Sequence, residues 1–452
     1  MRHAVVLGGL LGVAGLAPLV TGLEPAAARS PAVPAAALTG AHLAQYRGVR
    51  VPVPAGWEVH RLDLDPTRCV RHDRPALYLG RQGSQPDCPA RLIGGAETLH
   101  IEPLDGAPVS AQRRREAVRA TKLARFTVPD DADHEVRIVL PEVGAAITGV
   151  YGADTSLLQD VIRSIRLTAD RALQLPFGIG RDEPARGEPA GTTTKNPPAR
   201  PARPARSEPA RGVRTDPTFT ARGRGWVTGK GFDTCTAPSV RTMAAWRRSY
   251  GVTNIYIGGA SRGCSQPNLT RYWVRTVRRM GYRLIPTYVG LQAPCNEDTF
   301  RAHFKAKAAA RQGRLAAADA VARARALGIP RRRPIYFDME AYPSGKTKCR
   351  QAVLTFLNSW SHGLAARRYI SGVYSSAGSA VRDLGQATGI TKPKAIWFAH
   401  WDGKPTAYGS PYLLDHWWHP HRRIKQYRGS HKEKHGGVKL NIDSNHVDGR
   451  VY

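Results

Sequence analysis

Over residues 224–452, short apolar runs alternate with longer stretches of helical periodicity. The apolar runs predict strands at 226–233, 254–258, 283–289, 334–340, 370–375, 395–401, 423–427 and 438–443. Helical spacing fills 239–249, 269–280, 306–327 and 350–366. Gly251, Gly281 and Gly328 stand just before the next strand, where a glycine closes a helix in the left-handed conformation, and Pro330 reinforces the last stop. Such alternation over roughly 230 residues predicts a (β/α) TIM-type barrel. Only a loop separates the last two strands, so the barrel is expected to be irregular there. A doubly wound open sheet is the alternative α/β arrangement.

Residues 40–170 read as a small α+β unit. Val49–Val53, 135–140 and 145–151 have strand character, and 54–57 reads as a turn. Residues 156–165 have helical spacing, with Leu157, Val161 and Ile165 on one face. No catalytic constellation is visible in this unit, which leaves a binding or structural role. Between the units, Pro-Ala-Arg recurs at 198–200, 201–203, 204–206 and 209–211. That composition predicts an extended, solvated linker over 175–222, whose arginines would also hold to an anionic surface.

Residues 1–28 carry an early arginine, an apolar run and Ala26-Ala27-Ala28, the pattern of a secretory signal cleaved before Arg29. An uncleaved anchor is the alternative, and Pro18 and the small-residue site argue against it. No other stretch is long and apolar enough to span a bilayer. The expected location is therefore extracellular, with cell-wall association possible, and a monomer is expected. Six cysteines suit export. Cys69 and Cys88 stand alone in the N-terminal part and are expected to pair. Cys235, Cys264, Cys295 and Cys349 allow three connectivities. Without a Cys-x-x-Cys, zinc or thioredoxin chemistry is disfavoured. A net charge of +32 predicts attraction to polyanions. Export turns that expectation toward a cell-wall glycan or anionic envelope polymer rather than nucleic acid, with arginine-rich bias as the plain alternative.

The candidate chemistry centres on residues 335–342, where Asp338 and Glu340 are two residues apart behind an apolar run. On a strand both point to one face, with Cβ atoms roughly 6–7 Å apart. The other predicted strand ends add Asp233, the small pair Gly258-Gly259, Tyr288 with Gln292, Tyr374, Trp401 with Asp402, Gln426 and Asp443. Carboxylates, amides and aromatics on one rim are what a sugar site needs. Each has a mundane alternative: Asp233 as a helix cap, Gln426 satisfying backbone, Trp401 in a core. His400, His416, His419 and His421 with Asp402 would offer metal ligands, but no His-Glu-x-x-His accompanies them. No phosphate-binding Gly-Lys-Ser/Thr loop is present, and no cofactor is expected.

Several of these segments carry a resemblance. Gly231 to Ser239, Ile255 to Gly259, Ile285 to Gln292, Ile335 to Glu340, Ser371 to Ser376 and Gln426-Tyr427 with Ile442-Asp443 resemble the actinobacterial glycoside-hydrolase-like domain family long labelled as a domain of unknown function. The resemblance covers nearly all of 226–452. The same segments are more distantly similar to the family 25 glycoside hydrolases, the Chalaropsis-type lysozymes. That likeness implies Glu340 as general acid, Asp338 as the group that stabilises the oxocarbenium-like state or orients an N-acetyl group, and Asp233 tuning the pair. Asp443 is the match for a late aspartate, with Asp402 competing. The cysteines and Tyr288 to Gln292 depart from the lysozymes. The implied function is acid-assisted hydrolysis of cell-wall polysaccharide or peptidoglycan. The alternatives are a catalytically silent envelope protein that binds glycans in the same cleft, and adhesion through the basic linker.

Overall fold

A computed structural model describes residues 38, 40–83, 88–104, 120–168, 219–220, 225–296 and 302–452. The signal segment and nearly all of the expected linker lie outside them. The N-terminal unit contains a three-stranded sheet of β1 (His42–Tyr46), β2 (Val49–Val53) and β8 (Arg166–Leu167). Beside it is a five-stranded sheet in the order β3 (Glu58–Arg61), β4 (Ala76–Leu79), β5 (Thr98–Pro103), β7 (Ala145–Val150) and β6 (Glu135–Leu140). The helix Ser156–Ser164 buries Leu158, Val161 and Ile162. Leu157, expected on the inner face, is only half-buried, because the inward stripe is rotated one residue along the helix. Cys69 and Cys88 form the disulfide of this unit.

The C-terminal part closes into a barrel of eight strands: β10 (Trp226–Asp233), β11 (Val252–Gly258), β12 (Arg283–Tyr288), β13 (Pro334–Asp338), β14 (Ile370–Ser376), β15 (Ala395–Ala399), β16 (Arg423–His435) and β17 (Val438–Arg450). The short β9 (Phe219–Thr220) lies along β10. Neighbours from β10 through β16 run parallel, and the β10–β11 pairing closes the ring, which excludes the open sheet. The last strand departs from the (β/α) expectation, since β17 runs antiparallel to both β16 and β10. Only Gly436 and Gly437, at φ 56° and 82°, separate it from β16. A turn that short permits a hairpin but no crossover to a parallel partner.

Helices Val240–Trp246, Arg271–Arg279, Ala309–Ala326 and Thr347–Ala366 cover the outside. Ser239 and Thr270 cap the first two through bonds from the Thr242 and Trp273 amides, both 3.1 Å. Gly281 and Gly328 take φ of 97° and 79°. Each sends its amide to the carbonyl three residues back, and the following amide reaches back five, so both helices end in the expected left-handed motif. Gly251 does not, because that helix already ends at Trp246 and the Gly251 amide binds the Lys230 carbonyl at 3.3 Å. Inside the barrel, Val252, Ile285, Tyr336, Trp397, Ile424 and Val447 fill the lower layers. Two disulfides settle the open connectivity: Cys235–Cys264 and Cys295–Cys349.

Candidate functional site

The barrel strands deliver a ring of carboxylates to one end, three from parallel strands and Asp443 from the antiparallel β17. Asp233 ends β10 opposite Asp443 of β17, its register partner. Asp338 ends β13, with Glu340 just beyond it. Asp233, Asp338 and Asp443 are buried, while Glu340 keeps 17% side-chain exposure on the open side.

Gln426 holds the Asp233/Asp443 pair. Its Nε2 donates to Asp233 Oδ2 at 2.9 Å and to Asp443 Oδ2 at 3.0 Å, and its Oε1 accepts from Tyr374 Oη at 3.0 Å and Trp401 Nε1 at 2.9 Å. Asn445 adds a donor to Asp233. Burial, and then the Asp443 charge, raise Asp233 well above the usual carboxylate range. Burial pushes Asp443 up to about 6, against the pull of a nearby arginine and a hydrogen bond from Asp233. Both shifts run the same way because burial opposes each charge, and two carboxyls brought together in the interior oppose ionising together. Burial also pushes Asp338 up to about 7, opposed by the same arginine.

That arginine is Arg91, and it comes from the N-terminal unit. Its Nη2 donates to Asp338 Oδ1 at 2.7 Å and to Glu340 Oε1, so these oxygens are within two hydrogen-bond lengths of each other. Nη1 donates to Tyr374 Oη, and the guanidinium carbon stands 4.0 Å from the centre of the Tyr374 ring. Burial alone would lower the Arg91 pKa; the Asp338 and Glu340 charges overcome it and raise it well above its ordinary value. Nothing in the sequence around Arg91 marks it, because its partners are 247 and 249 residues away. Tyr256, buried beside Arg91, Asp233 and Asp338, and Asn445 also escaped the sequence reading, which took only strand ends: Tyr256 lies before the end of β11 and Asn445 beyond the expected end of β17.

The remaining expected site residues are placed differently. Gln292 is fully buried and its amide is spent on backbone. Nε2 donates to the carbonyls of Gly290 and Asp338, both at 2.9 Å, and Oε1 accepts from the Glu340 amide at 2.8 Å. It holds the acid-bearing strand end and has no group left for a ligand. Tyr288 points away from the cleft, into the layer between barrel and helices, against Phe337 and Trp360. Strand alternation explains this, since Ile285 and Thr287 take the inward positions. Asp402 binds Lys425 Nζ at 2.8 Å and His400 at 3.5 Å, and no contact joins it to the carboxylate ring. Trp401 is 63% exposed at the rim, not in a core. The four histidines do not converge: His421 pairs with Asp448 at 2.7 Å, while His400 faces Asp402.

Among curated proteins, none matches the chain. Among solved structures, an uncharacterized B. stearothermophilus protein is 17% identical, covering 49% of this chain and 99% of its own, with a TM-score of 0.34. The autolysin LytC from Streptococcus pneumoniae, solved with a synthetic peptidoglycan ligand, is 10% identical, over 48% of this chain and 46% of its own, at 0.31. The spore cortex lytic enzyme SleM of Clostridium perfringens is 15% identical, over 45% and 62%, also at 0.31. Likenesses of that size define neither the fold nor the chemistry of this chain. The family assignment rests on sequence. Residues 244–447 match the Rv2525c-like, glycoside hydrolase-like domain, and the barrel belongs to that family.

Proposed function

We propose that the chain is an exported glycoside hydrolase-like protein that hydrolyses cell-wall polysaccharide, peptidoglycan included, with acid assistance. The observation that carries this reading is the convergence of Asp338 and Glu340 on a single cation, faced by the Asp233/Asp443 pair that Gln426 holds together. Read as a TIM-type barrel with an antiparallel last strand, the fold collects chemistry at this end. Glycoside cleavage needs one carboxyl to protonate the leaving oxygen and another negative group to stabilise positive charge at the glycosyl carbon. Glu340, on the open side, would meet the leaving oxygen. Asp338, deeper, would face the glycosyl centre or a substrate N-acetyl group, and Asp233 with Asp443 would set the charge behind it. Trp401 offers an exposed ring for a sugar face, and Tyr374 and Gln426 line the floor. Three disulfides with no free cysteine among the described residues support export.

The test compares reducing-end release from purified wall glycans by wild type and Glu340→Gln. Release by wild type that is lost in the variant, with glycan binding retained, is the expected result. Equal release from both would overturn the enzymatic reading. One observation favours the silent, glycan-binding alternative: Arg91 occupies both members of the acid pair, on the side from which a substrate would approach them.

A further inference from the structure

Arg91 reaches the acid pair from a unit that is separate in sequence from the barrel, and the two are joined by discrete polar contacts. The Gly94 amide donates to the Ser261 carbonyl at 2.7 Å and the His72 amide to the Gly263 carbonyl at 2.9 Å. Ile93 bridges Arg262 in short antiparallel pairing. On the far side Asp133 accepts from the Gly259 amide and pairs with Arg323 at 3.2 Å. We propose that the N-terminal unit is a built-in closure of the cleft, with Arg91 standing where a cationic glycosyl centre would form and withdrawing before glycan can enter. The proposal rests on the glycosidase-type reading of the site.

Three observations carry it. The first is charge. A buried ring of carboxylates favours a positive centre, and oxocarbenium-like states supply one during reaction. In the docked state the guanidinium supplies it instead. The second is the character of the seam. Backbone hydrogen bonds and ion pairs run along it, and among the described residues the buried apolar cluster across it is small, Ile93, Tyr256 and Val289, beside the Cys264 sulfur against the Cys69–Cys88 disulfide. Groups of this kind are re-solvated by water when surfaces part, as in interfaces that open and close. The third is what docking leaves unsatisfied. Tyr256 Oη, Asn254 Nδ2 and Asp443 Oδ1 are buried without hydrogen-bond partners. Buried polar atoms in a native protein nearly always find partners. A sugar's hydroxyls would provide them, so Arg91 fills the cleft's charge requirement but not its hydrogen-bonding capacity.

Two variants of the full chain separate closure from catalysis. Arg91→Ala removes the plug. Gly263→Ala leaves the acid ring untouched but places a Cβ 2.2 Å from the Leu92 carbonyl oxygen, forcing the seam apart. Each is assayed for modification of Glu340 by a water-soluble carbodiimide with an amine, mapped by mass spectrometry, and for reducing-end release from peptidoglycan. If the cleft is closed nine times in ten, both variants raise labelling about tenfold. Release is expected to rise with it, and to vanish when Glu340→Gln is added to Arg91→Ala. Labelling that rises without any release keeps the closure and overturns the hydrolase reading. Unchanged labelling in both variants, with circular dichroism intact, overturns the closure. So does release that falls in Arg91→Ala but not in Gly263→Ala, which would make Arg91 a positioning residue of the site.

Discussion

Arg91 and Asp338 are 247 residues apart in the chain and 2.7 Å apart in the fold. Their meeting puts a buried acid beside a half-buried cation, and burial still holds the acid's folded-state pKa at about 7. An unfolded aspartate titrates near ~3.9. Because the folded value is the higher, the Asp338 contribution to stability is complete below the unfolded value and is lost as pH rises through 7. The stability of wild type relative to Asp338→Asn should therefore decline between about pH 4 and 7.5, by up to ~1.4 kcal/mol per pH unit. Urea melts at stepped pH measure it. A flat difference across that window would show that Asp338 is ionised throughout.

Gln292 sits behind the acid pair with all three of its hydrogen bonds committed to the strand end. Replacing it with leucine keeps the volume but strands the Glu340 amide and the Asp338 carbonyl in the interior. The expected penalty is about 1–3 kcal/mol in a denaturant melt, with glycan binding weakened as Glu340 loses its anchor. A variant as stable as wild type would mean that water replaces the amide.

Gly313 tests the packing of the helices Ala309–Ala326 and Thr347–Ala366. Alanine in mid-helix is ordinarily better than glycine by about 0.5–1 kcal/mol. Here its Cβ would meet the Phe356 carbonyl oxygen at 2.3 Å, so the overpacking term, about 1–3 kcal/mol, should win. Gly313→Ala is expected to lower Tm. A rise would show that the helix pair separates freely.

Trp401 gives the opposite pattern. It is 63% exposed, and its loss leaves Gln426 Oε1 still accepting from Tyr374. Trp401→Ala should change stability by under about 0.5 kcal/mol. In the Arg91→Ala background, it should weaken binding of N-acetylglucosamine oligomers several-fold by calorimetry. Unaltered binding would remove Trp401 from the sugar path.

Much of the barrel is legible along the chain because its determinants are local. Strand alternation and the glycines after the helices placed all eight strands to within a few residues, except that the hairpin strands β16 and β17 extend much further, to His435 and Arg450. The extension of β16 alternates exposed and half-buried positions, while that of β17, residues 444–450, is mostly buried but largely polar, so neither carries the apolar run that marked the first parts. Tyr288 shows the limit of reading strand ends. Being last on a strand does not say which way a side chain points, and one residue of phase separates the cleft from the helix layer.

Asp233, Asp338 and Glu340 could be found from the sequence because each ends, or lies just beyond, an apolar run, and parallel strands gather such ends at one rim; Asp443, inside the antiparallel β17, reaches that rim through its register with Asp233. Local pattern alone marked those three, the helix ends at Gly281 and Gly328, and the pairing of Cys69 with Cys88. The tertiary structure decided the rest: the antiparallel closure by β17, the commitment of Gln292 to backbone, and the arrival of Arg91 between the two acids. No periodicity encodes that last contact. It arises from the docking of two separately folded surfaces, and the charges that attract Arg91 exist as a cluster only once the barrel has closed.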